Sequence, residues 1–417
     1  MVINVDYVEL LKLYYGDKSD YRSEYNRRIS SPDTVILDFD INSRPAFFMQ
    51  NPEVSDLVFR ILKSDKKVSM LALELPQIAH DQFTRRCLVD EIILTNKIEG
   101  VNSTRREIAS IIDELEGEVS KDSKRKRFWG LVNRYYKLKA KEHTSLSSCE
   151  DLRLLYDELA LTEVVAENPR NRPDGKLFRK DITSVYSVTD REVHRGVYPE
   201  AAIIESIKKA LSFLNDTSVE QLYRISVFHY LLEYIHPFYD GNGRLGRFIV
   251  STMLAQTLNP LLAFRISYTI TENINRYYKA FAECNSPYNL GDVTPFLIMM
   301  LDLIRITTEN LEEALRFRIV RQKRYTDSIS ILPGAANERT RRAYQLLIQA
   351  GLFSEHGIST REFTDNLGTS YSTAKNELDR ISARSLLIRT RVGRENYYQL
   401  DLDSLDEMLL NSSLKKH

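Results

Sequence analysis

The chain has 417 residues, of which 43% are hydrophobic and 28% are charged. These values are ordinary for a folded globular protein, and they exclude a wholly disordered chain, collagen and a coiled-coil rod. At about 150 residues per domain, the length predicts two to four folded units. Lys and Arg number 58, as do Asp and Glu, so the formal net charge is zero. The chain as a whole therefore offers no field that attracts a polyanion, although a single domain still could.

The sequence contains no pattern typical of a membrane or secreted protein. No apolar stretch comes near the roughly 18 residues of a membrane-spanning helix, and the first residues lack the basic-then-apolar order of a signal peptide. Cys87, Cys149 and Cys284 lie far apart and form no CxxC pair, which indicates neither a disulfide framework nor a zinc site. We therefore expect a cytoplasmic protein.

Most of the chain is predicted to be helical, because Gly and Pro are few, at 15 and 12, and strand-like alternation is rare. The predicted helices rest on apolar residues at helical spacing, on capping boxes, or on Gly and Pro at their ends. These helices are predicted over 81–98, 217–236, 243–259, 273–283 and 294–314, and a further one begins at 104.

One segment, 182–197, departs from the helical pattern. It carries β-branched residues on both sides of Thr189-Asp190, which predicts a short β-hairpin. An isolated hairpin is only marginally stable in water, so we expect this one to pack against another element or to serve a function.

The composition changes after Arg316, where a basic stretch and the breaker Pro333-Gly334 predict a linker. Beyond the linker, three predicted helices are followed by a hairpin, which is the order of a winged helix-turn-helix domain. We therefore predict a mainly α protein. Its regions are an amino-terminal helical region over 1–130, a helical core over 131–316, a linker over 317–336 and a winged-helix domain over 337–417.

The chemistry is concentrated in the segment HPFYDGNGRLGR, which runs from His236 to Arg247. Its Gly-Asn-Gly loop at 241–243 precedes a helix, so backbone N–H groups and the positive helix end can receive a phosphate. Arg244 and Arg247, three residues apart, suit a polyphosphate better than a single carboxylate.

Two further side chains of this segment carry chemistry. Asp240 is a hard oxygen ligand of the kind that Mg²⁺ uses beside phosphates. His236 closes a helix and could act as a base near neutral pH. Each feature alone is usually structural, but together they converge on one class of ligand, a polyphosphate that is to be attacked.

The same segment resembles the motif HxFx(D/E)GNGRxxR of the Fic family, with every fixed position present. The resemblance extends over roughly 44–316. It implies a mostly helical Fic-type core that transfers AMP from ATP to a hydroxyl of a protein and releases pyrophosphate. Relatives that act as kinases have a broken glycine pattern, and both glycines are present here, so AMP transfer is favoured over phosphate transfer.

The resemblance also implies residue roles. His236 deprotonates a Ser, Thr or Tyr hydroxyl, Asp240 holds Mg²⁺, and Phe238 anchors the loop in the core. Asn242 lies near the α-phosphate, and the two arginines clamp the β/γ end. The nucleotide-binding residues are Gly241, Asn242, Gly243, Arg244, Arg247, Tyr277 and Tyr278. Tyrosines at helical spacing are also typical of a core, so the last two stay open. The hairpin stands where the family has a flap that pairs with an extended target segment.

A second motif, TNKIEG at 95–100, resembles the inhibitory motif (S/T)xxxE(G/N) of Fic proteins and belongs to a helix predicted over about 81–100. Thr95 and Glu99 are four residues apart and share a helix face. A pair between Glu99 and Arg247 would occupy the γ-phosphate clamp, so that ATP binds with a misplaced α-phosphate. In some relatives the same glutamate supports removal of AMP, and the sequence leaves that question open.

The carboxy-terminal domain is modestly basic. Residues 338–399 contain nine Arg and one Lys against seven acids. Arg389 and Arg391 lie in its predicted hairpin. Binding of DNA through 337–400 and use of the domain for protein contacts are both consistent with this pattern.

Two functions follow from the sequence. The leading hypothesis is an autoinhibited protein adenylyltransferase that uses ATP and Mg²⁺, modifies a protein target and itself, and forms a homodimer, as family members often do. The alternative is a DNA-binding regulator whose Fic-like domain senses nucleotide without turnover. An intact His236 favours the enzyme, because nucleotide binding alone does not need it.

Overall fold

The computed structural model of the protein describes residues 7–16, 18–117, 126–142, 144–186, 192–392 and 395–414. Within these ranges the chain is mainly helical, as the composition predicts. The helices are α1 (Leu10–Gly16), α2 (Lys18–Ile29), α3 (Pro52–Leu73), α4 (Gln77–Ile98), α5 (Arg105–Glu116), α6 (Trp129–Lys139), α7 (Cys149–Tyr156), α8 (Thr162–Glu167), α9 (Glu200–Leu214), α10 (Gln221–Ile235), α11 (Asn242–Thr257), α12 (Ile266–Glu272), α13 (Ile274–Asn285), α14 (Thr294–Asp327), α15 (Glu338–Phe353), α16 (Thr360–Leu367), α17 (Tyr371–Ser382) and α18 (Leu402–Leu414). The strands are β1 (Thr34–Ile41), β2 (Arg44–Met49), β3 (Ser184–Tyr186), β4 (Glu192–Arg195), β5 (Ile358–Ser359), β6 (Leu387–Val392) and β7 (Glu395–Leu400).

The described residues divide into two compact units. The first contains those of 1–66 and 88–310, and the second contains those of 67–87 and 311–414. Helices α3, α4 and α14 each run along the chain from one unit into the other. No helix among the described residues is both long and apolar enough to cross a membrane.

Helices α10 and α11 form the buried centre of the first unit. Most of their residues are inaccessible to solvent, because apolar and small side chains cover the whole circumference of each helix. Helix α10 begins after Glu220, whose carboxylate accepts the N–H of Tyr223. The predicted start at Thr217 is therefore wrong, because Asp216 and Ser218 close a separate turn there. The loop that joins α10 to α11 lies between two buried helices, which fixes its position.

The predicted inhibitory helix is α4, which ends at Ile98 and is followed by Gly100 in the left-handed region, with φ of 72°. The capping box at Thr104 and Glu107 opens α5 as predicted, with both reciprocal hydrogen bonds present. The predicted hairpin is also present, since β3 and β4 pair antiparallel with Ser184 opposite Arg195. Its turn, predicted at Thr189-Asp190, lies outside the described residues.

Strands β1 and β2 are not among the elements predicted from the sequence. They pair antiparallel from Thr34 opposite Met49 to Ile41 opposite Arg44. Leu37, Phe39 and Ile41 are buried and the residues between them are exposed, which is the alternation of a strand with one buried face. That alternation, followed by a two-residue turn, is the signal that could have revealed the hairpin.

The second unit contains α15, α16 and α17, then a three-stranded antiparallel sheet in the order β5-β7-β6. The helices and the hairpin lie where the sequence predicts them. A capping box at Ser359 opens α16, and Gly368 ends it.

The linker predicted over 317–336 is wrong in its first part, because α14 continues without a break as far as Asp327. The basic stretch contains no Gly or Pro, and Leu311, Leu315 and Ile319 are buried at helical spacing. Charge therefore marks the exposed face of a helix here rather than a break in it.

Candidate active site

The loop between α10 and α11 is held by its own side chains. Asn242 accepts the N–H of Phe238 on Oδ1 at 3.0 Å and donates from Nδ2 to the Phe238 carbonyl at 2.8 Å. The ring of Phe238 is buried and stacks on Tyr156 with a centroid separation of 3.6 Å. Phe238 thus lies in the core, as expected of an anchor. The amide of Asn242 closes the loop, and its predicted place near the α-phosphate stays a prediction.

Gly241 turns the chain into α11 with φ of 82°. A Cβ at this position would lie 3.3 Å from both Ala160 Cβ and Tyr156 Cε2, so glycine is required by conformation and by space. The first turn of α11 follows at once, and the N–H groups at the start of a helix have no acceptor within it. Asp240 is half-buried beside this end, and its Oδ1 accepts the N–H of Gly241.

His236 ends α10 in the left-handed region, with φ of 51° and ψ of 63°. Few residues other than glycine adopt this conformation, and such positions are frequent at functional sites. Burial, reinforced by the charge of Arg179, lowers the pKa of His236 to about 4, although Glu99 acts in the opposite direction. The imidazole is therefore neutral at pH 7. Its Nδ1 is buried and has no hydrogen-bond partner among the described residues.

Arg179 supports the loop, and the sequence analysis does not single it out. The side chain is fully buried. Nε donates to the His236 carbonyl at 2.8 Å, Nη1 to the Asp181 carbonyl at 2.6 Å and Nη2 to the Val197 carbonyl at 2.8 Å. One guanidinium thus ties the end of α10 to both ends of the β3–β4 hairpin. No local motif surrounds this arginine, so only the fold identifies its role.

The β3–β4 hairpin is also fixed to α10 directly. His194 Nε2 donates to the Tyr234 carbonyl at 2.6 Å, and the two rings lie 4.5 Å apart. The N–H of Val197 donates to the Ile235 carbonyl at 3.0 Å. The predicted flap therefore stands beside the helix end that carries His236.

Arg247 contacts the predicted inhibitory residues. Its Nε donates to Thr95 Oγ1 at 2.8 Å, and its Nη2 donates to the Thr95 carbonyl at 3.0 Å and to Glu99 Oε1 at 2.8 Å. The same carboxylate oxygen lies against Gly243, in the space that a Cβ would fill. Burial opposes the ionisation of Glu99, but Arg247, Arg244 and His236 together keep the pKa of its carboxyl lowered. Glu99 is thus an anion at the start of α11.

Helix α4 is positioned by Glu91, which lies on the same face as Thr95 and Glu99. Its carboxylate accepts the N–H of Ser267 at 2.9 Å and the Ser267 hydroxyl at 2.6 Å. Burial raises the pKa of Glu91 to about 7 despite these bonds. A polar residue in the middle of α4 therefore anchors this helix to α12.

Arg244 faces a different acid. It is buried, and its Nη1 lies 3.0 Å from Glu163 Oε1 on α8. Nε and Nη2 have no hydrogen-bond partner among the described residues. The two motif arginines are therefore engaged by two different carboxylates. The pair of Arg247 with Glu99 is predicted from the sequence, whereas the pair of Arg244 with Glu163 is not, because Glu163 is distant in the chain.

Tyr277 and Tyr278 lie in different environments. Tyr277 is buried, and its hydroxyl is 2.7 Å from His229 Nε2. Tyr277 therefore lies in the core. The sequence leaves two places open for this residue, the core and the nucleotide pocket. Tyr278 is 43% exposed and its hydroxyl lies 3.4 Å from the Ile98 carbonyl, beside Glu99. Of the two, only Tyr278 offers a surface near the proposed phosphate site.

The contribution of the Arg179 hydrogen bonds can be measured as a change in the free energy of unfolding. Replacing Arg179 with Ala removes the donor from three part-buried carbonyls, those of His236, Asp181 and Val197. We therefore expect a loss on the order of 3 kcal/mol in the free energy of unfolding. Urea denaturation measures it. Arg170→Ala is the matched control, because Arg170 is exposed. A loss no larger than that of the control would contradict the assignment.

Two effects require glycine at 241, the positive φ and the crowding of a Cβ, and their costs in stability can be measured separately. Gly100 also has a positive φ, of 72°, but a Cβ there would meet nothing within 4 Å. Each Gly→Ala change should cost about 1 to 2 kcal/mol for the left-handed backbone. Gly241→Ala should cost roughly 1 kcal/mol more, because its Cβ is crowded. Thermal denaturation of both variants compares them, and equal losses would refute the packing argument.

Comparison with known proteins finds a family model that is similar to this part of the chain. Residues 148–254 match the model of the Fic/DOC family. The match runs from the start of α7 through most of α11 and includes the whole segment from His236 to Arg247. The loop and its surroundings are therefore similar to those of Fic/DOC proteins.

Several characterised proteins are similar over part of the chain. Protein adenylyltransferase fic-1 of Caenorhabditis elegans is 25% identical over 189 residues, which cover 44% of this chain and 33% of that protein. A probable protein adenylyltransferase of Aquifex aeolicus (strain VF5) is 31% identical over 86 residues, covering 20% of this chain and 25% of that protein. The chain thus matches a third or less of the length of these relatives.

A solved structure is similar over more of the chain. It is a Fic family protein from Desulfovibrio desulfuricans G20, with 21% identity and a TM-score of 0.49, covering 84% of this chain and 96% of that one.

Proposed function

We propose that the protein is an autoinhibited protein adenylyltransferase, which transfers AMP from ATP to a Ser, Thr or Tyr hydroxyl of a protein and releases pyrophosphate. The observation that carries this proposal is the convergence on one loop of a neutral imidazole, an open helix N-terminus and a guanidinium already paired with a carboxylate. The names of the similar proteins from Caenorhabditis elegans and Aquifex aeolicus support the same reaction.

In this proposal the first turn of α11 receives the phosphates and Arg247 binds their terminal end. The hydroxyl oxygen of the target attacks the α-phosphorus while His236 takes up the hydroxyl proton. The bond from the α-phosphorus to the bridging oxygen breaks, and pyrophosphate leaves. The protein contributes positioning and preorganised positive charge, which are the main contributions to catalysis of phosphoryl and nucleotidyl transfer.

Asp240 would hold Mg²⁺. The described residues contain no cluster of three or more His, Cys, Asp or Glu side chains suited to a metal. One carboxylate beside a phosphate site fits Mg²⁺, which commonly binds one or two protein carboxylates and completes its shell with phosphates and water. When bound, the cation would neutralise phosphate charge.

The β3–β4 hairpin would present the target. An extended segment could add to the hairpin edge as a further strand, as in other cases of β-strand addition. This supports a protein as the acceptor, because the hairpin is fixed beside His236 by Arg179 and by Val197.

Glu99 is the proposed brake. A carboxylate against Gly243 and on Arg247 occupies the place of a terminal phosphate. ATP that binds beside it would carry a displaced α-phosphate, and a displacement of about 1 Å can cost about a hundredfold in rate.

Removal of the brake should activate the enzyme. In the presence of Mg²⁺ and α-labelled ATP, Glu99→Gly should increase self-labelling by about ten- to a hundredfold, and His236→Ala in the same background should abolish the label. Lys97→Gly is the matched control, since Lys97 is exposed at the same helix end. Equal labelling of wild type and Glu99→Gly would refute the brake. ATP binding without His236-dependent transfer would instead favour the nucleotide-sensing regulator.

A second candidate function concerns the second unit, which we propose is a winged helix that binds duplex DNA. The order α15, α16, α17 and hairpin supports this assignment. Lys375 and Asn376 on α17 are exposed or half-buried, and Arg389 and Arg391 on β6 are exposed. Phosphate-binding cations and polar side chains on the recognition helix are the two components that DNA binding needs.

The DNA hypothesis predicts a specific salt dependence. Arg389→Ala/Arg391→Ala should weaken binding of a DNA duplex and reduce the slope of log K against log salt by about 2, one for each lost phosphate contact. Fluorescence anisotropy of a labelled duplex measures both quantities. Arg342→Ala, an exposed arginine on α15, is the control. If wild type shows no binding at low salt, the winged helix serves protein contacts instead.

A further inference from the structure

Glu233 is a half-buried acid with a buried carboxyl oxygen, and the proposed mechanism does not use it. It lies on α10, one turn after His229 and three residues before His236. Its Oε1 is buried and has no hydrogen-bond partner among the described residues, and the same is true of His229 Nδ1. His229 is already bonded to Tyr277 through its other ring nitrogen. Two unsatisfied polar atoms therefore stand side by side on one face of a central helix.

These atoms lie directly against α11 because residue 246 is glycine. A Cβ at Gly246 would stand 2.7 Å from Glu233 Oε1 and 3.0 Å from His229 Nδ1. Gly243 has the corresponding position for Glu99, and a Cβ there would also stand 2.9 Å from Arg247 Nη1. Two carboxyl groups thus approach the first turns of α11 at two glycines, and Arg247 belongs to the same turns.

Arg247, Glu99 and Glu233 differ in their ionisation. Arg247 and Glu99 form a direct pair. Burial first, and then repulsion from Glu99, raise the pKa of Glu233 to about 8, while Arg247 acts in the opposite direction. Glu233 is therefore protonated at pH 7 as long as Glu99 is in place. Burial lowers the pKa of Arg247, but the nearby carboxyl groups of Glu99 and Glu233 act in the opposite direction and contribute to a raised pKa.

We propose that Glu233 is the second counter-ion of Arg247, which takes over the guanidinium when Glu99 is withdrawn. A buried cation left without an anion is costly. Withdrawal of Glu99 creates that situation and also removes the repulsion that, after burial, contributes to the raised pKa of Glu233, while the attraction of Arg247, which lowers that pKa, remains. The carboxyl then releases its proton to solvent and pairs with Arg247. Glu233 is in this sense a positioning residue, since it acts through Arg247.

The consequence is competition for Arg247. In the uninhibited state, a ligand phosphate must displace Glu233 from the guanidinium, whereas in the inhibited state it must displace Glu99. This step rests on the proposed function, because it takes the terminal phosphate of ATP as the ligand of Arg247. Glu233 would then weaken ATP binding only where Glu99 is absent.

A double-mutant cycle tests this by titration calorimetry of ATP with Mg²⁺ at pH 7.5. Glu233→Gln should tighten ATP binding by about three- to tenfold in the Glu99→Gly background and change it less than about twofold in wild type. AMP, which lacks the terminal phosphates, should show no difference in either background. Glu205→Gln, at an exposed site on α9, is the matched control. Gln resembles a protonated Glu, so the wild-type fold should tolerate it, and Glu233→Met provides a second variant.

The outcomes separate the two hypotheses. Equal effects of Glu233→Gln in both backgrounds, or no tightening in the Glu99→Gly background, would overturn the counter-ion role and leave the proposed function standing. Failure of the folded Glu99→Gly variant to bind ATP at all would overturn the proposed function itself.

Discussion

The buried guanidinium of Arg247 is the constraint on which the site depends. A cation that is almost wholly inaccessible to solvent needs an anion within reach, and its pair with Glu99 at 2.8 Å provides one. In the proposed function the same requirement would let Arg247 bind phosphate, because an anion that replaces Glu99 restores the balance of charge. The proposed inhibition and the proposed ligand binding would then both satisfy the need of one buried cation for a counter-ion.

The loop that presents this charge is built from backbone conformations that few residues adopt. His236 and Gly241 both have positive φ, at 51° and 82°, and they bracket the turn that reverses the chain from α10 into α11. Such a turn persists only if its surroundings hold it. Asn242 closes it from within, and Arg179 binds the carbonyl of His236 from outside. Burial, and then the charge of that guanidinium, lower the pKa of His236, so the imidazole is neutral at pH 7. The residue that stabilises the turn thus also favours the neutral form that the proposed base requires.

The contiguous parts of the site could be predicted from sequence, and the parts that meet across the fold could not. The residues from His236 to Arg247 are close because they are neighbours in the chain, and Thr95 and Glu99 share a face because helical spacing dictates it. Arg179, Glu163 and Glu233 each act through a partner on another element, and none of them stands in a recognisable motif. In the fold, apolar spacing together with capping boxes and Gly or Pro at helix ends predicts half of the helices that the structure describes. The β1–β2 hairpin escapes prediction because its alternation is short, and the helix beyond Arg316 escapes it because a run of charge resembles a linker.

The position of Glu99 at the end of its helix has a consequence for the proposed brake. Glu91 and Thr95 lie within α4, where Glu91 is bonded to Ser267 and Thr95 to Arg247. Glu99 lies one residue past the last helical residue, and its N–H donates to the Asn96 carbonyl in a tighter turn. Helix ends open at lower free energy than helix interiors. Withdrawal of the Glu99 carboxylate would therefore require only that the last turn loosen, while the rest of α4 keeps its packing. The proposed brake would then be released locally, because the loop between α10 and α11 is held by its own contacts.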